Sequence, residues 1–241
     1  MTFCIAVRVA DGVIALADTR ISKGSDILSK TKLAAHVVSD GSFFTMTSGL
    51  RSIRDKALVY LELDLANRTQ APQRLYEIAN AFGAQLRRVR AEDGPSLQAS
   101  RLAFNLHAII GGRLSADTAP TMFLVYPEGN WIEVNEESPY FAIGRTPYGV
   151  PLIARHVTNA TSLSEAATWA LIAFDMTASS VSDVDYPVDL AIMRNGSTEL
   201  LRKRYAREDL KPVTDGWHAA VSRQLSTLPS GWLAPLISTN P

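Results

Sequence analysis

Apolar residues recur with two different periods along this chain, and the switches between them outline its elements. The opening "TFCIAVRV" is compact and β-branched, Asp11-Gly12 is a hairpin dipeptide, and "VIALADTR" follows, so the chain starts as a β-hairpin whose second strand ends near Asp18. "LAAHVV" and "SFFTMT" predict two further strands. The period then changes. Leu50, Ile53, Ala57, Tyr60 and Leu61 share one helical face. Pro72 opens a second helix with Leu75, Ile78, Ala79, Phe82, Leu86 and Val89 on its stripe, closed by "EDGPS" at 92–96. Strand signals return in "FNLHAIIGG", in "TMFLVYPEGNWIEV" with a turn at "PEGN", and in "YFAIG". "RTPYGVPLIARHV" holds a short helix. Ser162 and Glu165 in "SLSE" form a capping box for the next, with Ala166, Ala167, Ala170, Leu171 and Phe174 inward. "VDLAIMR" and "TELLRKRY" form a last hairpin around "NGS", and a final helix over about 215–228 precedes an apolar tail, "SGWLAPLISTNP".

Strands joined as hairpins make mainly antiparallel sheets, and helices in two groups can cover two stacked sheets. The expected fold is α+β, a four-layer α/β/β/α sandwich. It forms a single domain over 1–241 with a C-terminal tail from about 229.

Composition narrows the function classes. Apolar residues make up 46% of the 241 and charged residues 20%, as in a soluble globule with a substantial core. Lys plus Arg (24) equals Asp plus Glu (24), which gives no electrostatic footprint for nucleic acid or an anionic membrane and little protection against self-association. One cysteine excludes an internal disulfide. No run approaches the ~20 apolar residues of a membrane span, and no secretory leader pattern opens the chain, so a cytoplasmic protein is expected.

Conventional catalytic motifs are missing: there is no phosphate loop, no GxGxxG after a strand and no HExxH. His36, His107, His156 and His218 are scattered and read as structural or surface residues. Asp183, Asp185 and Asp189 could suggest a metal but read first as loop acids, and no metal or cofactor is expected. Cys4, inside the first strand, reads as a small core residue.

Thr2 is the remaining candidate. A threonine hydroxyl needs a base to become a nucleophile. An α-amine titrates near ~7.7–8.0, far closer to neutrality than a lysine at ~10.4. Thr2 freed of Met1 therefore carries its own base. Such a design needs a cation to keep the amine neutral and an acid to place the cation. Asp18 can return close to Thr2 at the end of the hairpin, and Lys30 and Lys32 follow.

These residues, in "MTFCIAVRV…GVIALADTR" and "DTRISKGSDILSKTKL", resemble the proteasome β-subunit family of N-terminal-nucleophile (Ntn) hydrolases. The likeness is closest to its bacterial homologues, the ancestral β-subunit type (Anbu) and the betaproteobacterial type (BPH). "TMTSGL" and "YFAIGRTPYGVP" carry the resemblance further along the chain. It implies Thr2 as nucleophile, Asp18 as acid and Lys32, rather than Lys30, as cation. It also implies Ser48 and Gly49 in an oxyanion-hole turn, and Ile21, Met46 and Leu50 around an apolar pocket for the residue before the cut. For the shell supporting the amine it offers Thr146 and a choice among Ser180, Ser182 and Asp183. Here the sequence departs from the family, because Arg145 follows Gly144 where a proteasome subunit has serine.

The implied function is a threonine peptidase or amidase in a self-compartmentalised ring. Its partners would be copies of itself, as a tetradecamer of two heptameric rings or an open helix of the Anbu kind, together with peptides or unfolded proteins and an unfoldase ATPase. A proteasome-like scaffold with little activity and a small-amide hydrolase are the competing functions.

Overall fold

The computed structural model describes residues 2–23, 26–29, 31–38 and 41–237. For 21–23, 26–29, Pro235 and Ile237 it gives the backbone alone. Lys30, the alternative cation, lies outside the described residues.

The first hairpin is β1 (Phe3–Val9) and β2 (Gly12–Asp18), in a register that pairs Cys4 with Ala17 and Val9 with Gly12. A short hairpin that the hydrophobic pattern does not announce follows, β3 (Arg20–Lys23) with β4 (Asp26–Ser29). Then come β5 (Leu33–Val38), β6 (Gly41–Ser48), and two helices, α1 (Arg51–Ala66) and α2 (Leu75–Ala99). After them run β7 (His107–Arg113), β8 (Thr121–Val125), β9 (Trp131–Glu133) and β10 (Tyr140–Gly144). Helices α3 (Val150–His156) and α4 (Leu163–Ser180) precede the last hairpin, β11 (Val188–Arg194) and β12 (Leu201–Tyr205).

The strands form two five-stranded antiparallel sheets, ordered β10-β1-β2-β11-β12 and β5-β6-β7-β8-β9, beside the two-stranded β3-β4. Alternation along each strand assigns every residue a layer. Cys4, Ala6, Ala15 and Ala17 of one sheet meet Phe44, Met46, Ile109 and Met122 of the other in a core between the sheets. Their sequence neighbours Phe43, Ile110 and Phe123 face outward, onto Ile53, Ala57, Leu61 and Phe82 of α1 and α2. On the opposite side α4 packs over β1 and β2, where Phe3 and Phe174 lie 6.5 Å apart, and α3 packs on α4. The expected four-layer sandwich is the observed one. None of the described helices is long and apolar enough to cross a membrane.

Helix boundaries depart from expectation where their determinants are remote. The second helix starts at Leu75, not Pro72, because Asp117 caps it from across the fold: Leu75 N–H donates to Asp117 Oδ2 at 3.0 Å. It also runs through Gly94-Pro95 to Ala99 instead of closing at 92–96. Pro95 forfeits one backbone hydrogen bond there. Against this, Lys56 of α1 bridges Glu92 at 2.7 Å and Asp93 at 2.8 Å, and Leu97 packs onto the core. The helix at Leu163 begins as its capping box requires, with Ser162 and Glu165 bonded reciprocally.

Packing divides the chain into two units, 1–206 and 207–241. The second holds α5 (Arg207–Leu225), which starts earlier than the expected 215, with Glu208 and Asp209 favouring its first turn. A single 3₁₀ turn, Gly231–Leu233, and a short helix, Ala234–Ile237, follow.

Phe174 is the largest side chain of α4 buried against the sheet. Phe174→Ala is expected to cost about 3–5 kcal/mol of folding free energy, read as a lower urea midpoint at an unchanged slope.

Candidate active site

Thr2 sits immediately before β1; it and Lys32 are nearly buried, and Asp18 is completely buried. The hairpin register that pairs Cys4 with Ala17 brings the end of β2 beside the start of β1. The Thr2 hydroxyl donates to Asp18 Oδ1 at 2.7 Å, and the Phe3 backbone N–H donates to the same oxygen at 2.9 Å. Lys32 Nζ donates to Asp18 Oδ2 at 2.7 Å. Lys32 lies in the connection just before β5, not in a strand, so its position follows from this ion pair and not from strand alternation. Burial pushes the Asp18 carboxyl above the usual carboxylate range, and the charge and hydrogen bond of Lys32 only partly offset this.

Two glycines shape the backbone around Thr2. Gly144 has φ of +94°, and a Cβ there would meet the Thr2 carbonyl oxygen at 2.0 Å. This close approach lets Arg145 N–H donate to that carbonyl at 2.8 Å, which fixes Thr2 against the end of β10. Gly49 has φ of +138° and turns the chain from β6 into α1, with Leu50 N–H donating to the Asn105 side chain at 3.1 Å.

Thr2 lines a cleft of about 840 Å³. Lys32, Ser48, Gly49, Leu50 and Thr146 line it too, so six of the residues singled out in the sequence converge there. Met46 does not: it is fully buried in the core between the sheets. The side chain of Ile21 lies outside the described residues. Ser182 is exposed and Asp183 pairs with Arg145 at 3.0 Å; neither lines the cleft. Ser180 is exposed and donates to the Met176 carbonyl of its own helix. Burial alone would raise the Asp183 carboxyl, but the hydrogen bonds of Arg145, the charge of the chain's N-terminus and the charge of Arg145 together hold it below the usual carboxylate range.

The other candidates fall into structural settings. Cys4 lies 3.6 Å from the Thr2 hydroxyl, but complete burial, reinforced by the charge of Asp18, pushes its thiol up to about 12. It stays protonated at neutral pH. Asp185 pairs with Arg20 at 2.6 Å and Asp189 with Arg204 at 2.6 Å. No group of three potential metal ligands occurs among the described residues. His36 stacks on Phe43 and His156 on Trp169. His107, by contrast, lines the cleft edge-on to Tyr126, and Arg51, Arg54 and Asn105 line it as well. No local motif marks these four. Arg51 and Arg54 stand on the polar side of an amphipathic pattern, and only the packing of α1 brings them to the cleft.

Three solved structures are similar over nearly the whole chain. The Gly-1 mutant of Anbu from Hyphomicrobium sp. strain MC1 is 27% identical, with 95% of this chain and 99% of that chain covered and a TM-score of 0.86. Anbu, the ancestral β-subunit, from Yersinia bercovieri is 26% identical over 95% and 98%, with a TM-score of 0.85. The Anbu complex from Pseudomonas aeruginosa, a helical assembly, shares the fold at 24% identity over 99% and 100%, with a TM-score of 0.87. No family model matches the sequence, and no curated protein does. The fold is that of the proteasome β-type Ntn hydrolases. Within that class the chain is a structural homologue of Anbu, the ancestral β-subunit.

Lys32→Met removes one partner of a buried pair and is expected to cost about 3–5 kcal/mol at pH 8. Without Lys32 the Asp18 carboxyl rises further. In the folded protein Asp18 holds its proton more tightly than in the unfolded chain, so its ionisation works against folding as pH rises through the raised value. The cost of Lys32→Met should therefore shrink as pH falls and Asp18 becomes neutral. Urea denaturation at a series of pH values measures this, and a pH-independent cost would contradict it.

Proposed function

We propose that this chain is a threonine-type peptidase or amidase whose nucleophile is Thr2 once everything before it has been removed. The reading is carried by one observation: the Thr2 hydroxyl, Asp18 and Lys32 form a continuous hydrogen-bonded set at the edge of a cleft that also contains the Gly49 turn. In this mechanism the freed α-amine, through a water, takes the proton from Oγ1 as Oγ1 attacks the substrate carbonyl carbon. Asp18 holds the Lys32 ammonium close, and its charge favours both the neutral amine and the developing alkoxide. Backbone N–H groups of the Ser48-Gly49 turn receive the oxyanion, an interaction worth about 2.7–4 kcal/mol per donor in a studied case. Collapse breaks the C–N bond, the protonated α-amine of Thr2 returns the proton through the water to the leaving amine, and an acyl ester remains on Thr2. Water, activated by the same amine, then releases the acid.

A cleft of about 840 Å³ has room for several residues, which favours a peptide over a small amide. A second reading, a proteasome-like scaffold with little activity, is favoured by one observation: Asp183 is engaged by Arg145 and Ser182 is exposed, and neither of these two expected support residues lines the cleft. The two separate cleanly. Intact mass spectrometry of the Thr2-terminal protein with a threonine-directed electrophile should give one adduct per chain. Protein retaining Met1, whose nitrogen at Thr2 is an amide without basicity, should give none, and Thr2→Ala should give none. Equal labelling of all forms, or no labelling of the Thr2-terminal form, would leave the scaffold reading. Because Asp18 titrates above the usual carboxylate range, labelling should fall on the acid side before the pH reaches ordinary carboxylate values.

We further place the subunit in a cytoplasmic homo-oligomer fed with unfolded chains or peptides, with an unfoldase ATPase as a partner. Exposed Trp232 and Leu236 support self-contact. Two heptameric rings are the proteasome-like arrangement, and an open helix is the arrangement of the P. aeruginosa complex. Native mass spectrometry is expected to show a discrete tetradecamer; a concentration-dependent ladder would indicate the open helix, and a monomer would exclude both.

A further inference from the structure

We propose that the cleft beside Thr2 selects substrates carrying a carboxylate near the amide to be cleaved, with Arg51 and Arg54 as the specificity-determining residues. The inference rests on the reading of Thr2 as nucleophile and adds a substrate class to it. The family likeness implies an apolar pocket, but the described lining of the cleft also carries cations. Lys32, Arg51 and Arg54 line it, and among the described lining residues there is no Asp or Glu.

Charge within this set is unevenly balanced. Lys32 is held by Asp18, which is buried behind the cleft. Arg51 and Arg54 share one anion. Arg51 Nε donates to Asp55 Oδ2 at 3.1 Å, while Arg54 donates to Asp55 Oδ1 through Nε at 2.8 Å and Nη2 at 2.6 Å. Two guanidiniums against a single carboxylate leave one positive charge in excess, and Asp55 itself is not on the cleft wall. A guanidinium offers five donors in a planar fork suited to a carboxylate, so these three bonds leave donor capacity on both side chains. The Arg54 side chain is only 19% exposed and stands on a helix, so little side-chain freedom is lost when a ligand binds. Apolar neighbours, Leu50, Leu102, Leu124 and Ile143, lower the local dielectric and strengthen the attraction.

The carboxylate can belong to an acidic side chain or to the free C-terminus of a short peptide. Thr2→Ala protein, which cannot turn the ligand over, separates these sources in a fluorescence anisotropy titration at low salt. The probes are fluorescein-Ala-Ala-Glu-Ala-amide, its Gln counterpart as the amide, and the same Gln peptide as the free acid. At least one carboxylate probe should bind about five- to tenfold tighter than the neutral Gln amide. Preference for the Glu probe identifies a side-chain carboxylate, and preference for the free acid a terminal one. The gap should close in Arg51→Gln/Arg54→Gln and widen in Asp55→Asn, which releases both guanidiniums. Equal binding of the three probes, or a gap that survives the double variant, overturns the proposal. If circular dichroism shows the double variant unfolded, Asp55→Asn decides alone, and an unchanged or narrower gap overturns it. Failure of the nucleophile reading is seen separately, as absent acylation of the Thr2-terminal protein.

Discussion

Three donors converge on the carboxylate of Asp18, which has no exposed surface. Burying a carboxylate is costly unless charge and hydrogen bonds compensate for its lost hydration. Here the compensation comes from three places in the chain: the hydroxyl that precedes β1, the first amide of β1, and a lysine on the connection into β5. The ion therefore requires β1, β2 and the start of the second sheet to meet at one point. The same requirement gives Thr2 its neighbours, because the hydroxyl is one of the three donors.

The cleft is assembled around that point by elements with unrelated local reasons for their shapes. Gly144 permits the backbone of β10 to touch Thr2, and Gly49 allows β6 to turn sharply into α1. Packing of Ile53, Ala57 and Leu61 onto the outer face of the second sheet sets the rotation of α1, and that rotation delivers Arg51 and Arg54 to the cleft. The site thus combines a buried, fully engaged ion pair with a partly exposed cationic wall whose charge is incompletely balanced. The first kind of arrangement fixes geometry, and the second can discriminate among ligands.

Much of the architecture was legible because it depends on local periodicity. Alternation in "TFCIAVRV" and "SFFTMT" separates residues facing the other sheet from those facing a helix, and it does so as Phe43 and Phe44 are separated in the structure. The capping box at Ser162 and the turn at Asp11-Gly12 are likewise encoded by adjacent residues. Legibility fails where a remote group decides. Asp117 caps the helix at Leu75 and Lys56 carries the same helix past Pro95, and neither partner is a sequence neighbour. The β3-β4 hairpin left no clear alternation of apolar residues to read.

The same division holds for the site. Sequence by itself determined the chemistry on offer: a threonine behind the first methionine, an acid at the end of the first hairpin and lysines shortly after it. A hairpin register is fixed by its turn, so the meeting of Thr2 and Asp18 follows from local information. Only the tertiary structure decided that Asp183 pairs with Arg145 while Ser182 stays exposed, that Met46 fills the core, and that Arg51, Arg54 and His107 border the cleft. These outcomes depend on how helices rotate and loops settle against the sheets. That is set by the packing of whole faces rather than by the residues on either side in the chain.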